Sequence, residues 1–333
     1  MKDLHLDEVL HLNSNGIFRE GFFFGCIDYP YNVYDAIVIR CPAAASAWRG
    51  LYAVSDRSLQ EHIDFINQYQ LKKAIVIADT LDFLEECPSL TRFRVIPADT
   101  AINHFDFSPL YRRPKIEFFR CDTEYGGLKP DKKTTVDISE LPQLEELWIE
   151  WDKGTKNFEA ATTLRRLIIE RRLDFRDLHS IAGNVHLQDL EAVLCGLRNL
   201  SGIEAFPELR FLYLWYCKNI SDISDLASVK DSLEMLIIEK CPKIKDFSVL
   251  HFMKSLRWLS LFGSNTLPDL EFLKEMPNLL HFGFDMNVTS GDLSPCLQIP
   301  SATSIRNRKH FNLKDNQLPH SINFSMEQLR YSL

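Results

Sequence analysis

Leu209-Arg-Phe-Leu212-Tyr-Leu214-Trp-Tyr-Cys217 returns as Leu233-Glu-Met-Leu236-Ile-Ile238-Glu-Lys-Cys241 and again as Leu256-Arg-Trp-Leu259-Ser-Leu261-Phe-Gly-Ser264. Each copy reads L-x-x-L-x-L, with a small or polar residue at the ninth place. The same frame fits at Leu144, Leu164, Leu187 and Leu279, and successive starts from Leu144 lie 20, 23, 22, 24, 23 and 23 residues apart. A fixed period of this size marks a repeat architecture. The L-x-L alternation makes a short strand with one face inward. Ile220-Ser-Asp-Ile223-Ser-Asp-Leu226, Ile244-Lys-Asp-Phe247-Ser-Val-Leu250 and Leu267-Pro-Asp-Leu270-Glu-Phe-Leu273 form the return half of the unit. One unit alone cannot bury its apolar side, whereas a stack buries a continuous core.

Upstream the pattern loosens. Leu90-Thr-Arg-Phe93-Arg-Val95 and Ile116-Glu-Phe-Phe119-Arg-Cys121 keep the frame at longer spacings, and Leu81-Asp-Phe-Leu84-Glu-Glu-Cys87 parallels Leu270-Glu-Phe-Leu273-Lys-Glu-Met276. Ala36-Ile-Val-Ile39 and Ala74-Ile-Val-Ile77 read as two further strands joined by a helix. Ser58-Leu-Gln-Glu61 supplies that helix with a capping box, and Leu59, Ile63, Ile66 and Tyr69 form its apolar stripe. Ile37, Ile39, Ile75 and Ile77 are expected on the face opposite the core. A strand apolar on both faces needs a cover, and the segment before Asn32, with Phe18 and Phe22 to Phe24, is expected to supply it. Tyr125 to Lys133 reads as an exposed loop.

The joint pattern, seven times in phase from about Leu141 to Asn287, resembles leucine-rich-repeat proteins of the short-repeat internalin and phosphatase-regulator types. The resemblance implies an α/β fold, a right-handed solenoid with a curved parallel sheet, divergent N-terminal repeats and terminal caps. The expected organisation is an N-terminal cap over 1–32 and divergent repeats with the strand–helix–strand unit over 33–140. Regular repeats follow over 141–287, and a C-terminal cap over 288–333. The resemblance also implies that the ninth residue points inward and bonds neighbouring turns. Here that place holds Cys195, Cys217, Cys241 and Asn287, with Ser264 and Asp152 as variants, while Arg172 departs from it. The cysteines are therefore expected to be structural thiols.

Side chains alternate along a strand, so the leucine register also fixes which residues face the concave side. They are Glu146, Trp148, Glu150 and Trp151; then Arg166, Ile168, Glu170 and Arg171; then Asp189 and Glu191; then Phe211, Tyr213, Trp215 and Tyr216. Met235, Ile237, Glu239 and Lys240 follow, then Trp258, Ser260 and Phe262, and finally His281 and Asp285. Val193 and Leu194 fit this register poorly. Four of the chain's five tryptophans fall in these slots, which solvent-facing positions do not normally collect. Aromatic anchors interleaved with charges are the anatomy of a protein interface; the alternative is structural packing, since strands favour aromatics and a folded-back tail could cover part of this face. The charges lean acidic, so the complementary partner carries a basic patch.

Other chemistries find no footing. There is no zinc-spaced His/Cys cluster, no H-E-x-x-H, no phosphate loop and no nucleophile elbow. Asp222, Asp225, Asp246 and Asp269 occupy a turn-forming slot, and Arg306 to His310 is a short basic run in a solvated segment. A net charge of −8 argues against phosphate-backbone binding. No stretch nears the roughly 20 apolar residues of a membrane span, and no export signal stands at Met1. The expectation is a cytoplasmic, non-enzymatic protein-binding module, monomeric when free, without cofactor, metal, nucleic acid or membrane. Its sharpest form is an inhibitor or immunity protein for a basic toxin or enzyme; the alternative is a regulatory scaffold for an enzyme such as a phosphatase.

Overall fold

The computed structural model describes residues 12–13, 16–27, 33–40, 55–97, 105–113, 115–122, 135–149, 155–171, 174–321 and 325–332. The chain divides into two compact units, 1–163 and 164–333. The Tyr125 to Lys133 loop and Glu150, Trp151, Asp152 and Arg172 lie outside the described residues.

In the first unit the main sheet runs in chain order: β1 (Leu12–Asn13), β2 (Gly16–Arg19), β3 (Phe22–Gly25), β4 (Ala36–Arg40), β5 (Lys73–Ala78), β6 (Arg92–Pro97), β7 (Phe118–Cys121) and β8 (Glu146–Ile149). The pairs up to β3–β4 are antiparallel and those from β4 onward are parallel. Glu20 and Gly21, at φ 51° and 80°, make the two-residue turn between β2 and β3, the geometry that matches strand twist in a hairpin. Between β4 and β5 lies α1 (Leu59–Tyr69), which buries Ile63, Phe65 and Ile66. Its capping box is complete: Glu61 N donates to Ser58 Oγ at 3.2 Å, and Ser58 N donates to Glu61 Oε2 at 2.7 Å. A 3-10 turn over Asp82–Glu86 leads to β6, and α2 (Ser108–Tyr111) lies between β6 and β7.

Two expectations need correction here. Ile37 pairs with Ala74, and Ile75 with Val38, so the two A-I-V-I strands meet one residue out of step. A slip of one residue reverses the face. Ile37 therefore shares its face with Phe24, which packs towards Phe65 of α1 at 6.3 Å, whereas Ile75 and Ile77 look the other way. Nor are Phe18 and Phe22 to Phe24 a cover laid across the sheet. They sit in β2 and β3 and contribute to both faces, Phe22 against Phe65 at 4.2 Å and Phe23 in a buried cluster with Val38, Ile75, Ile77 and Phe118. The hairpin pairs edge-on with β4, which satisfies an edge that would otherwise stand open.

In the second unit the sheet is wholly parallel and again in chain order: β9 (Arg166–Glu170), β10 (Asp189–Val193), β11 (Phe211–Trp215), β12 (Met235–Glu239), β13 (Trp258–Phe262), β14 (His281–Phe284) and β15 (Ser301–Ser304). Leu167, Leu190, Leu212, Leu236 and Leu259 form one inner row, and Ile169, Ala192, Leu214, Ile238 and Leu261 the next; each is 0% exposed. Pairing continues beyond Leu279 to β15, with Leu293 and Cys296 buried beneath. Four of the returns are 3-10 turns at Ser224–Val229, Ser248–Phe252, Glu271–Glu275 and Ser294–Gln298. Asp222, Asp246, Asp269 and Asp292 open them, each accepting the backbone N–H two residues on at 2.9, 2.8, 2.9 and 2.9 Å. This is the short-range bond that makes Asp a turn former. Asp225 accepts instead from Ser201 Oγ at 3.2 Å.

At the strand ends Arg171, Leu194, Tyr216 and Lys240 adopt φ of 57°, 54°, 51° and 53°. Such a conformation costs a side-chain-bearing residue roughly 1–2 kcal/mol. It turns each N–H onto the next repeat, where Val193, Trp215, Glu239 and Phe262 carbonyls accept at 2.8, 2.8, 2.9 and 2.8 Å.

Inside, the Cys195, Cys217 and Cys241 thiols donate to the Ile169, Ala192 and Leu214 carbonyls of the preceding repeat at 3.2, 3.3 and 3.6 Å. In the next repeat the inward residue is Asn265, which donates to Cys241 O at 3.0 Å and Ile244 O at 2.7 Å. Ser264 is exposed, contrary to the ninth-place count, because Gly263 at φ 147° lengthens this turn by one. One repeat later Met286 is buried, and Asn287 is half-buried in a short strand paired with Thr266–Leu267. A final helix, α3 (Met326–Ser332), follows Ser325.

Candidate functional site

Strand pairing in the second unit arranges the side chains opposite the leucine core in rows. Arg166, Asp189, Phe211, Met235, Trp258 and His281 form the first; Ile168, Glu191, Tyr213, Ile237 and Ser260 the second; Glu170, Val193, Trp215, Glu239 and Phe262 the third. One sheet face thus brings together Glu170, Glu191, Phe211, Tyr213, Trp215, Glu239, Trp258 and Phe262, with Arg171 and Tyr216 at the strand ends. Val193 and Leu194 do fit. Val193 takes the third row, and Leu194 takes the left-handed strand-end place.

This face is not bare. Leu329 of α3 packs into a buried cluster with Phe211, Met235 and Ile237, flanked by Tyr213, Trp258 and Met326. Arg330 lays its guanidinium carbon 3.8 Å from the Phe211 ring centroid. Its Nε donates to Asp189 Oδ2 at 2.7 Å and its Nη2 to Glu191 Oε1 at 2.6 Å. Arg166 approaches the same two carboxylates at 3.8 and 3.4 Å. The expectation that Phe211 faces solvent is therefore corrected: it is 2% exposed, because a segment of the same unit lies over it. Sequence reading missed Met326, Leu329 and Arg330. Their signal was Ser325-x-x-Gln328, a capping box now seen as Gln328 N to Ser325 Oγ at 3.2 Å and Ser325 N to Gln328 Oε1 at 2.8 Å.

Tyr213, Trp215, Glu239, Trp258, Phe262 and His281 are half-buried and held by their neighbours. Tyr213 Oη donates to Glu239 Oε2 at 3.1 Å, and burial together with that carboxylate pushes its ionisation up. Trp258 donates from Nε1 to Ser260 Oγ at 2.9 Å and stacks on His281 at 4.0 Å. Trp215 meets Tyr216 edge-on at 5.1 Å, and Lys240 Nζ lies 4.9 Å from the Tyr216 ring centroid. Glu170 approaches Arg171 at 3.8 Å. A cleft of about 650 Å³ opens at the strand ends, where Tyr216, Lys240, Phe262 and Arg306 line it.

The first-unit candidates are engaged differently. Glu146 pairs with Arg92 at 2.6 Å, and the Arg120 guanidinium carbon sits 3.3 Å from the Trp148 ring centroid. Beside them Arg94 and Arg120 both donate to the buried Asp122 carboxylate at 2.6 Å. Burial alone would raise that carboxyl; the two guanidinium groups hold it below its ordinary range. Glu146 and Trp148 are thus part of a tightly paired charge network. Among the described residues no group of three or more His, Cys, Asp or Glu is placed to hold a metal ion, and no helix is long and apolar enough to cross a membrane. Burial pushes the Cys87 and Cys296 thiols up to about 11 and about 12, which disfavours a nucleophilic thiolate.

No protein-family model matches the chain, and no curated protein does. Among solved structures it is similar to an internalin, InlF, of Listeria monocytogenes, at 16% identity over 77% of this chain and 73% of that one, with a TM-score of 0.51. It is also similar to internalin C2 of the same organism, at 18% identity over 73% and 92% of the two chains, with a TM-score of 0.44. A leucine-rich-repeat protein of Leptospira interrogans shares 12% identity over 75% and 82%, with a TM-score of 0.30. The fold is that of the leucine-rich-repeat proteins.

Proposed function

We propose that this leucine-rich-repeat chain is a non-enzymatic protein-binding module that grips a partner on the strand face of its second unit. The observation that carries the reading is the row geometry. Glu239 is framed by Tyr213, Trp215, Trp258 and Phe262, all half-buried, across three adjacent parallel strands, and Asp189, Glu191 and Phe211 adjoin them beneath α3. Rigid aromatic anchors framed by charge are where interfaces concentrate their binding energy. The acidic lean selects a partner with a basic patch, and neutralising such a partner, a toxin or enzyme, is the inhibitory role that fits best. The buried Cys195, Cys217 and Cys241 thiols, none in a disulfide, suit a reducing compartment such as the cytoplasm. The chain acts as a monomer until the partner binds.

Trp215 and Phe262 are half-buried and lie in the third row, so their truncation spares the leucine core. The double variant Trp215→Ala/Phe262→Ala should weaken partner binding at least tenfold, the effect of losing about 1.4 kcal/mol or more of hot-spot contact. Its thermal midpoint should stay near that of the wild type. Unchanged capture in a folded variant rejects this face as the binding surface.

A further inference from the structure

We infer that α3 is an internal stand-in for the partner's recognition element: the β10–β12 face receives a short helix bearing one arginine beside aliphatic side chains, and the partner displaces α3 to seat there. The inference rests on the reading of this face as the binding surface, and it names what the surface recognises.

The receptor for the arginine is built. Asp189 and Glu191 stand two apart on β10, so both carboxylates rise from the same face, and Phe211 on the adjoining strand provides the ring beneath. A guanidinium answers all three at once, as Arg330 does, with two donors to two carboxylates and its plane on an aromatic ring. A lysine ammonium offers neither the fork nor the flat stack. The side chains of Arg330, Asp189 and Glu191 retain only 10%, 16% and 13% of their exposure, so the contact is desolvated. Without Arg330 the two acids keep Arg166 at 3.8 and 3.4 Å. The vacated face would still be short of a cation. Next to this site Phe211, Met235 and Ile237 form an apolar seat for a Leu-sized group.

The occupant is poorly suited to hold its place. α3 has seven residues, far below the length at which an isolated helix is stable in water, so its helicity depends on being docked. A partner helix with the same arginine and aliphatic stripe, plus further contacts to Trp215, Glu239 and Phe262, competes for the same groups and adds to them. The cost of displacing α3 discriminates against partners lacking the arginine.

The test uses the full-length chain and a fluorescein-labelled synthetic peptide with the sequence of residues 322–333. Leu329→Glu/Arg330→Glu removes the stand-in by placing carboxylates against carboxylates. The peptide should bind this opened chain at least tenfold more tightly than the wild type. A peptide with Gln in place of its arginine should lose at least tenfold, as should the opened chain carrying Asp189→Asn/Glu191→Gln. Should the double variant fail to unfold cooperatively, Arg330→Gln alone serves as the milder opening. Equal peptide affinity for wild-type and opened chains, or indifference to the arginine, overturns the inference. Flat peptide results with capture still lost in Trp215→Ala/Phe262→Ala overturn this inference alone; capture unchanged in that variant overturns the underlying reading.

Discussion

His281 shows how burial on the strand face tunes a single side chain. It stacks on Trp258 at 4.0 Å and 26°, with Nδ1 3.1 Å from Ser301 Oγ. Burial, helped by repulsion from His320, lowers its pKa from 6.5 to about 4. The unfolded chain therefore binds this proton first. The contribution is complete above pH 6.5 and is lost as pH falls towards 4, amounting to about 3 kcal/mol. His281→Phe keeps the stack and removes the titration, so the thermal midpoint of this variant should decline less between these pH values than that of the wild type. Parallel profiles would show that His281 does not carry this acid sensitivity. The same scale separates the two groups of candidate residues. Glu146 and Trp148 are engaged by Arg92 and Arg120, whereas Tyr216 and Phe262 line an open cleft.

The repeating element owes its order to two ladders, one of strands and one of inward polar groups. Asn265 satisfies two carbonyls that would otherwise be buried without a donor, each worth about 1–3 kcal/mol when stranded. Asn265→Ala should lower unfolding free energy by about 2–4 kcal/mol, measured by chemical denaturation. Ser264→Ala, at the exposed ninth place, should change it by less than about 0.5 kcal/mol; the reverse order would restore Ser264 to the ladder. The leucine phase was legible in the sequence because strand alternation and a near-constant period reinforce each other over seven units. The ladder slip was not legible, because counting to the ninth residue assumes a turn length that Gly263 alters. Ala36-Ile-Val-Ile39 and Ala74-Ile-Val-Ile77 misled through their likeness, since identical strings need not meet in register. α3 was harder still. Seven residues give little periodicity, and its docking depends on Asp189 and Glu191, 141 and 139 positions away from Arg330.

For the whole molecule, a formal charge of −8 sets the sign of long-range attraction, while the leucine register decides where that attraction ends in contact. The sequence carried the face and its aromatic and acidic character. It allowed for a folded-back tail over part of that face, but not that the cover is a helix bearing Leu329 and Arg330. A protein partner is expected on the strand face of the second unit rather than on the return side. A photocrosslinking amino acid placed at Trp215, on the strand face, and separately at Phe252, 59% exposed on a 3-10 return, distinguishes the two sides. A covalent adduct with the partner is expected from position 215 and none from position 252. Adducts from position 252 without any from position 215 would place the partner on the return side instead.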